Sequence, residues 1–410
     1  MPPTFTCNAR RYRLPTTPTV VICIDGSEPG YIEAAIAAGR APTFARFMRD
    51  GANLIGECAI PSFTNPNNLS IITGRPPAVH GIAGNFFFDP ATRTEVMMND
   101  PQFLRAPTIL AAAHTAGAKV AMVTAKDKLR LLLSKGLDYS TGRAMAFSSE
   151  KADKATKQDN GIDNAVGFVG LPVPEVYSAG LSEFAFAAGA KLLASFKPDL
   201  MYLSTTDYIQ HKTGPGTKIA NDFYAMIDRY LAKMDALGAI IVATADHGMN
   251  DKHKADGSPQ VVYLQSIIDG WLGAGTARVI LPITDPYVAH HGALGSFATV
   301  YLERPDDKLA GRLRAVPGIE LVLTNAEACA RFELPPDRIG DLVVLSGKHM
   351  TLGTAAERHD LSGLDEPLRS HGGLHEQRVP MIANRQVKLP AGHRLRNFDV
   401  FDVALNRIET

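Results

Sequence analysis

Acidic and histidine side chains recur beside the short apolar runs of this sequence. In parallel α/β sheets, ligands bind beyond the carboxyl ends of the strands, so these side chains would meet at one edge of the sheet. Carboxylate oxygens and imidazole nitrogens are ligands that suit zinc. The residues are Asp25, Asp207, His211, Asp246, His247, His371 and His375.

Taken singly, these residues also fit structural roles. A carboxylate such as Asp25 at a strand end often caps the next helix. An Asp and a His four residues apart, as in "DYIQH", can share one face of a helical turn, but a single pair does not define a metal site. Together the acids and histidines exceed what one tetrahedral centre needs. They predict two neighbouring metal ions, an arrangement that clamps the attacking and leaving groups of phosphoryl transfer.

A two-metal phosphoryl site also needs a nucleophile and a donor to phosphoryl oxygens, and the segment 60–90 offers both. Thr64 precedes an apparent helix at Asn67–Thr73, where backbone N–H groups and the helix dipole favour an anion. Metal coordination would lower the pKa of the Thr64 hydroxyl. The alternative role of Thr64 is a helix N-cap. Asn85 could donate its amide to a phosphoryl oxygen or serve as an ordinary turn residue in "AGNF".

The composition excludes several classes of protein. The chain has 410 residues, 45% of them hydrophobic, which predicts two domains or one large domain with an insertion. Basic and acidic residues number 42 each, so net charge favours neither nucleic acid nor an anionic membrane. Four scattered cysteines indicate neither a disulfide framework nor a thiolate zinc cluster. The sequence lacks a signal-peptide core and any apolar stretch of about 20 residues, so we expect a soluble, cytoplasmic protein.

Apolar runs alternate with helix-like segments over residues 1–251, which predicts an α/β fold with a largely parallel sheet covered by helices on both faces. Strand-like runs bounded by Gly, Pro or Asp dominate 252–368, and 369–410 returns to the first pattern. We therefore predict a catalytic core at 1–251 and 369–410 and an inserted α+β cap domain at 252–368. The polar segment 148–161 is predicted to be a surface loop.

Five motifs together resemble the alkaline phosphatase superfamily: "CIDG", "PSFTNPNNLSIITGRPPAVHGIAGN", "DYIQH", "TADHGM" and "SHGG". The sequence is most similar to the nucleotide pyrophosphatase/phosphodiesterase branch and to the phosphonoacetate hydrolases. The motifs occur in the superfamily's order and span most of the chain apart from about 252–368, where members carry a variable cap. The resemblance implies an alkaline-phosphatase-like core with a mostly parallel sheet sandwiched by helices.

The resemblance also implies two zinc ions per chain, with iron or manganese left open in their place. Thr64 would be the nucleophile, and Asn85 would bind the phosphoryl group. The implied ligands of the first zinc ion are Asp25, Thr64, Asp246 and His247. The implied ligands of the second zinc ion are Asp207, His211 and His371, with His375 as the alternative to His371.

Two lysines help to choose between substrates. The segment "AMVTAKDKLRLLL" ends a strand near Val123 and places Lys126 and Lys128 beyond it, where two ammonium groups could bind a carboxylate. The alternative is a pair of solvated surface lysines. In phosphonoacetate hydrolases, lysines in such a segment bind the substrate carboxylate, and "AKDK" resembles that feature. The phenylalanines of "NFFFDP" could stack on a nucleotide base but are more typical of core packing.

These patterns predict a di-zinc hydrolase that cleaves the carbon–phosphorus bond of phosphonoacetate to acetate and phosphate through Thr64. The alternatives are a nucleotide pyrophosphatase/phosphodiesterase or another phosphate-ester hydrolase of the superfamily, and a non-catalytic zinc-binding protein. The predicted partner is a small phosphonate, with no nucleic acid and no membrane, and a homodimer is left open. His80 is predicted to support the site from a loop, and His290 and His291 to be local groups of the cap.

Overall fold

Strands and helices alternate along the residues that the computed structural model describes, 3–283 and 294–409. The strands are β1 (Thr4–Cys7), β2 (Arg10–Arg13), β3 (Thr19–Cys23), β4 (Ala52–Glu57), β5 (Phe86–Asp89), β6 (Thr94–Met97), β7 (Val120–Thr124), β8 (Ala144–Ser148), β9 (Leu200–Ser204), β10 (Ile240–Thr244), β11 (Asn250–Asp251), β12 (Val261–Tyr263), β13 (Ala277–Ile280), β14 (Phe297–Leu302), β15 (Ile319–Thr324), β16 (Leu342–Ser346), β17 (Thr351–Gly353), β18 (Arg369–Ser370) and β19 (Arg378–Ala383). The helices are α1 (Pro29–Ala37), α2 (Pro42–Asp50), α3 (Thr64–Thr73), α4 (Pro77–His80), α5 (Ile109–Thr115), α6 (Asp127–Leu133), α7 (Lys157–Asn160), α8 (Ala165–Val169), α9 (Gly180–Ser195), α10 (Tyr208–Lys212), α11 (Lys218–Ala236), α12 (Leu264–Leu272), α13 (Leu309–Arg314), α14 (Asn325–Phe332) and α15 (Val400–Asp402).

Seven strands form the central sheet, in the order β4-β19-β10-β3-β9-β7-β8. Every neighbouring pair from β10 to β8 is parallel. At the other edge, β19 pairs antiparallel with both β10 and β4. The predicted α/β fold with a mostly parallel sheet is therefore confirmed, and the antiparallel edge is a feature that the sequence pattern did not indicate. The carboxyl ends of β10, β3 and β9 lie side by side, where the acidic residues follow.

The middle strands of this sheet are buried on both faces. In β3, Val20 and Ile22 pack into one hydrophobic cluster, whereas Val21 and Cys23 pack into a cluster on the opposite face. Successive side chains of a strand point to opposite faces, so an unbroken apolar run is what a sheet covered on both sides requires. Helices α1, α2, α9 and α11 contribute to the first cluster, and α3, α5 and α6 contribute to the second.

A second, antiparallel sheet follows later in the chain, with the strand order β13-β14-β16-β15. It packs with α12 and α13 in a hydrophobic cluster of its own. Its strands fall within 252–368, and the exact boundaries of core and cap stay a prediction. The second sheet contacts the start of α3 near the acidic edge, where Phe63, the residue before α3, meets Phe297 of β14 with ring centroids 6.1 Å apart.

The helix predicted at Asn67–Thr73 begins three residues earlier, at Thr64, and the predicted surface loop at 148–161 is wrong in part. This segment contains a 3-10 turn at Ala152–Lys154 and helix α7. Thr156 caps α7 by accepting the Asp159 N–H, and the buried Asn160 amide donates to the Ala146 carbonyl. Polar side chains here satisfy local backbone groups, so polarity did not mean irregular structure.

No helix within the described residues combines the length and the apolar character needed to cross a membrane.

Candidate metal centre and active site

Three carboxylates lie buried just beyond the carboxyl ends of three adjacent strands. Asp25 follows β3, Asp207 follows β9 and Asp246 follows β10, and none of the three residues is more than 2% exposed. Burial, together with the negative charges of Asp207 and Asp246, raises the pKa of Asp25 well above its usual value. Like charges at such close quarters in a buried site require compensating positive charge.

Three histidines face these carboxylates in the same orientation. Each directs Nδ1 at a backbone carbonyl oxygen 2.8 to 3.0 Å away, and Nδ1 must carry the proton because a carbonyl only accepts. A neutral ring held in this way presents the lone pair of Nε2, as metal-binding histidines do. The pairs are His211 with the carbonyl of Arg369, His247 with that of Gly248 and His371 with that of Ser62.

The Nε2 atoms and the carboxylate oxygens form two adjoining groups, in each of which the ligand atoms lie within 4.8 Å of one another. The groups are Asp25, Asp246 and His247, and Asp207, His247 and His371. His211 extends the second group, since its Nε2 lies 3.1 Å from Asp207 Oδ2. The rings of His247 and His371 stack with their centroids 3.7 Å apart, which joins the two groups.

The chemistry of this cluster fits divalent cations. Within 3–283 and 294–409, Asp25 Oδ2 and Asp207 Oδ1 are buried oxygens that have no hydrogen-bond partner. Burial lowers the pKa of His247, but Asp246 and Asp25 outweigh it and raise this pKa to about 9. A proton on Nε2 of His247 would thus balance part of the negative charge of the carboxylates. A bound metal ion would replace this proton. Carboxylate oxygens and imidazole nitrogens are a donor set that suits zinc.

Thr64 is the first residue of α3, and its hydroxyl points at the cluster. Its Oγ1 lies 3.4 Å from Asp25 Oδ1 and 3.3 Å from His247 Nε2. Thr64 is not a helix cap, since Phe63 holds the N-cap position and no side chain caps this end of α3. Asp25 does not cap the following helix either, because the N-cap of α1 is Glu28. Both side chains are therefore available to the cluster.

Asn68, one turn after Thr64, holds α3 against the cluster and was not predicted from the sequence. Its amide Nδ2 donates to Asp246 Oδ2 at 2.9 Å and to the Thr64 carbonyl at 3.2 Å. Its Oδ1 accepts hydrogen bonds from Tyr202 and Ser204 of β9, at 2.7 and 3.0 Å. The spacing of four residues from Thr64, which places both on one helix face, is the signal that could have identified it.

A small pocket beside the cluster opens onto Thr64. Lys126 lies at this pocket with its Nζ 3.9 Å from Asp207 Oδ1. Lys128 is exposed and is not one of the lining residues, so its carboxylate-binding role stays a prediction. The described residues that line the pocket are Phe63, Thr64, Asn85, Lys126, Asp207, Ile283 and His371.

The two late histidines lie in different environments. His371 is buried and faces Asp207, with Nε2 3.6 Å from Asp207 Oδ2. His375 is 37% exposed, and its Nε2 lies 2.8 Å from Glu320 Oε2 of β15. The structure therefore brings His371, and not His375, to the carboxylates. His290 and His291 lie outside the described residues.

Comparison with known proteins identifies the family. A family model described as type I phosphodiesterase/nucleotide pyrophosphatase matches residues 19–374, and the chain belongs to this family. An ectonucleotide pyrophosphatase/phosphodiesterase of Caenorhabditis elegans is 22% identical over 348 residues, 80% of this chain and 39% of that protein. A phosphonoacetate hydrolase of Penicillium oxalicum is 54% identical over 41 residues, 9% of this chain and 57% of that protein. The chain thus matches less than two thirds of the length of either relative.

Solved structures add a more specific similarity. A phosphonoacetate hydrolase from Sinorhizobium meliloti 1021, in complex with phosphonoformate, is 62% identical with a TM-score of 0.96, and the match covers 99% of each chain. Murine ectonucleotide pyrophosphatase/phosphodiesterase 5 is 18% identical with a TM-score of 0.62, over 94% of this chain and 93% of that one. These matches confirm the predicted resemblance to the alkaline phosphatase superfamily, the predicted fold and the prediction of a hydrolase.

His80 contacts α3, the helix that begins with Thr64, and its buried ring should make the stability of the fold depend on pH. It ends α4, its Nδ1 accepts the Ile82 N–H at 3.2 Å, and its Nε2–H donates to Ser70 Oγ of α3 at 2.9 Å. Burial, with a smaller effect of Arg338, lowers the pKa of His80 from 6.5 to about 3. Between pH 6.5 and 3, His80 is therefore protonated in the unfolded chain but neutral in the folded chain. The free energy of unfolding present above pH 6.5 is consequently lost as the pH falls through this range.

We expect the free energy of unfolding of the wild-type chain to fall more steeply with decreasing pH than that of His80→Gln, which keeps a donor for Ser70. The difference in slope should approach about 1.4 kcal/mol per pH unit within this window. Chemical denaturation at a series of pH values measures it. Parallel profiles for the two proteins would contradict a buried, neutral His80.

Proposed function

We propose that the chain is a di-zinc phosphonoacetate hydrolase, which converts phosphonoacetate and water to acetate and phosphate. The observation that carries this proposal is a single pocket, lined by Thr64, Asn85 and Lys126, beside the buried carboxylates and histidines. The Sinorhizobium meliloti phosphonoacetate hydrolase, solved in complex with phosphonoacetate, is 61% identical to this chain and supports the choice of substrate.

The residues of the cluster divide between two zinc ions in this proposal. When bound, the zinc ions would neutralise the carboxylates, lower the pKa of the Thr64 hydroxyl and stabilise negative charge on the phosphoryl oxygens. The ligands we assign to one ion are Asp25, Thr64, Asp246 and His247. The ligands we assign to the other are Asp207, His211 and His371.

Thr64 supplies the nucleophilic oxygen. It begins α3, where the helix N–H groups and dipole favour both an anionic oxygen and an incoming phosphonate. The hydroxyl releases its proton to solvent, and the oxygen attacks phosphorus in line with the carbon–phosphorus bond, which breaks and leaves a phosphorylated Thr64. The amide of Asn85 donates to a phosphoryl oxygen as negative charge develops there. Attack by water on the phosphothreonine then releases phosphate and restores the hydroxyl.

The substrate carboxylate makes the carbon leaving group possible. The electron pair of the broken bond moves into an enolate of acetate, which then takes a proton from water. Lys126 brings positive charge to the pocket, and we assign Lys128 as a second cation that binds the substrate carboxylate. A phosphonate without an electron-withdrawing neighbour should therefore resist hydrolysis.

A nucleotide pyrophosphatase/phosphodiesterase is the second candidate, because the family model carries that description. Such an enzyme needs a surface on which a base can stack. Phe88 packs against Tyr301 and Phe87 against Phe103, with ring centroids 5.4 and 6.4 Å apart. These phenylalanines are absent from the described lining of the pocket, in agreement with the predicted core packing. This arrangement favours the small phosphonate.

Replacing the nucleophile tests the catalytic role directly. We expect Thr64→Ala to lower phosphonoacetate turnover at least about 1,000-fold, because Thr64 is the one hydroxyl among the described residues that line the pocket. Zinc binding should persist through the aspartates and histidines, and Thr64→Ser should retain measurable activity as the matched control. Phosphate release and zinc content are the measurements. Near-normal turnover by Thr64→Ala would contradict the mechanism, and an inactive wild-type chain that binds zinc would favour a non-catalytic binding protein.

The lysines are tested by a comparison of two substrates. For Lys126→Ala/Lys128→Ala we expect kcat/KM for phosphonoacetate to fall by about 10- to 100-fold, the effect of losing charge-assisted hydrogen bonds to a carboxylate. Hydrolysis of a nitrophenyl nucleotide ester, which lacks that carboxylate, should change less. Lys151→Ala, an exposed lysine outside the pocket, is the control. If the double variant were as active on phosphonoacetate as the wild type, the assignment of phosphonoacetate as the substrate would be wrong.

A further inference from the structure

Lys252 and Glu376 form an ion pair whose side chains have no exposure to solvent. Lys252 Nζ lies 2.9 Å from Glu376 Oε1 and also donates to Ser296 Oγ at 2.8 Å and to the Lys348 carbonyl at 2.7 Å. These three acceptors match the three N–H donors of the ammonium. The Asn250 amide donates to the same Glu376 oxygen at 2.6 Å. The pair is thus satisfied and fixed in its geometry.

Glu376 holds both loops that carry histidines of the cluster. Its Oε2 accepts the N–H of Gly373, two residues after His371, at 2.9 Å. Its backbone carbonyl accepts the N–H of Gly248 at 2.7 Å. The carbonyl of Gly248 in turn accepts Nδ1–H of His247 at 2.8 Å. Gly248, whose carbonyl orients His247, is therefore held at its N–H by Glu376.

Lys252, which follows β11, is linked to the backbone of His371 through Ser296, beside the second sheet. The Ser296 hydroxyl accepts from Lys252, and the Ser296 N–H donates to the His371 carbonyl at 2.8 Å. Ser296 directly precedes β14, and Lys348 follows β16 closely. The ion pair consequently ties the backbone around His371 to the second sheet and to the loop of His247.

Stability is a poor explanation for this pair. Removing an ammonium and a carboxylate from water costs several kcal/mol for each ion, and apolar side chains of similar volume often serve stability equally well. The hydrogen bonds of the pair, however, converge on the backbone beside His247 and His371, whose rings stack 3.7 Å apart. Groups that orient metal-binding histidines tune the affinity of the metal.

We infer that Lys252 and Glu376 are positioning residues that set the orientation of His247 and His371, and that they couple the second sheet to metal affinity. This inference rests on the proposed function in taking the cluster as a zinc site.

The experiment compares the full-length wild-type chain with Lys252→Met, Glu376→Leu and the double variant. Zinc affinity is measured by competition with a chromophoric chelator, and stability by chemical denaturation. Each single variant leaves a buried charge unpaired and should lose both stability and zinc affinity. The double variant should recover most of the lost stability, while its zinc affinity stays about 10- to 100-fold below that of the wild type.

Recovery of zinc affinity together with stability in the double variant would overturn the inference, because the pair would then act on stability alone. If the double variant does not fold, Ser296→Ala removes one acceptor of Lys252 and keeps both charges. We expect about tenfold weaker zinc binding by Ser296→Ala, and wild-type affinity there would overturn the inference.

The exposed pair Arg93–Glu303 is the control, and Arg93→Met/Glu303→Leu should leave zinc affinity unchanged.

Measuring both zinc affinity and phosphonoacetate turnover distinguishes a failure of this inference from a failure of the proposed function. A wild-type chain that binds two zinc ions without hydrolysing phosphonoacetate would contradict the proposed function, whereas the zinc affinities of the variants would still decide on the positioning residues.

Discussion

The burial of three carboxylates at adjacent strand ends is the constraint on which the rest of the site depends. Asp25, Asp207 and Asp246 are placed there by the parallel direction of β3, β9 and β10, and their mutual repulsion in a buried site must be offset by cations. The surrounding histidines are arranged accordingly. Their Nδ1 protons are directed away at carbonyls, so that each Nε2 faces the carboxylates, where it could bind a metal ion.

The position of the nucleophile follows from the same constraint. Helix α3 begins at the cluster, so its positive end and the Thr64 hydroxyl face negative charge. Asn68 joins this helix to Asp246 and to β9 through three hydrogen bonds. On the other side, Phe63 contacts Phe297 of the second sheet. Nucleophile, carboxylates and second sheet are therefore held by one continuous set of contacts.

The sequence was sufficient to predict the α/β fold and to single out the strand-end acids, because buried parallel strands produce apolar runs that stop at polar residues. It could not separate a metal-binding role for Asp25 from helix capping, which depends on where α1 begins. It also left His371 and His375 as alternatives, since only the folded chain shows that His375 meets Glu320. Glu376 gave no signal, because its partner Lys252 lies 124 residues away in the sequence. The partner of Asn68, Asp246, lies 178 residues away, so only the spacing of four residues from Thr64 could have pointed to Asn68.

Anomalous diffraction at the zinc edge, from crystals of the full-length chain grown with zinc, tests the central claim most directly. We predict two zinc peaks per chain within the carboxylate–histidine cluster. The residues expected at the first peak are Asp25, Thr64, Asp246 and His247, and those expected at the second are Asp207, His211 and His371. No peak in this cluster, or zinc found only elsewhere, such as at His375 and Glu320, would contradict the claim that the buried carboxylates exist to bind metal.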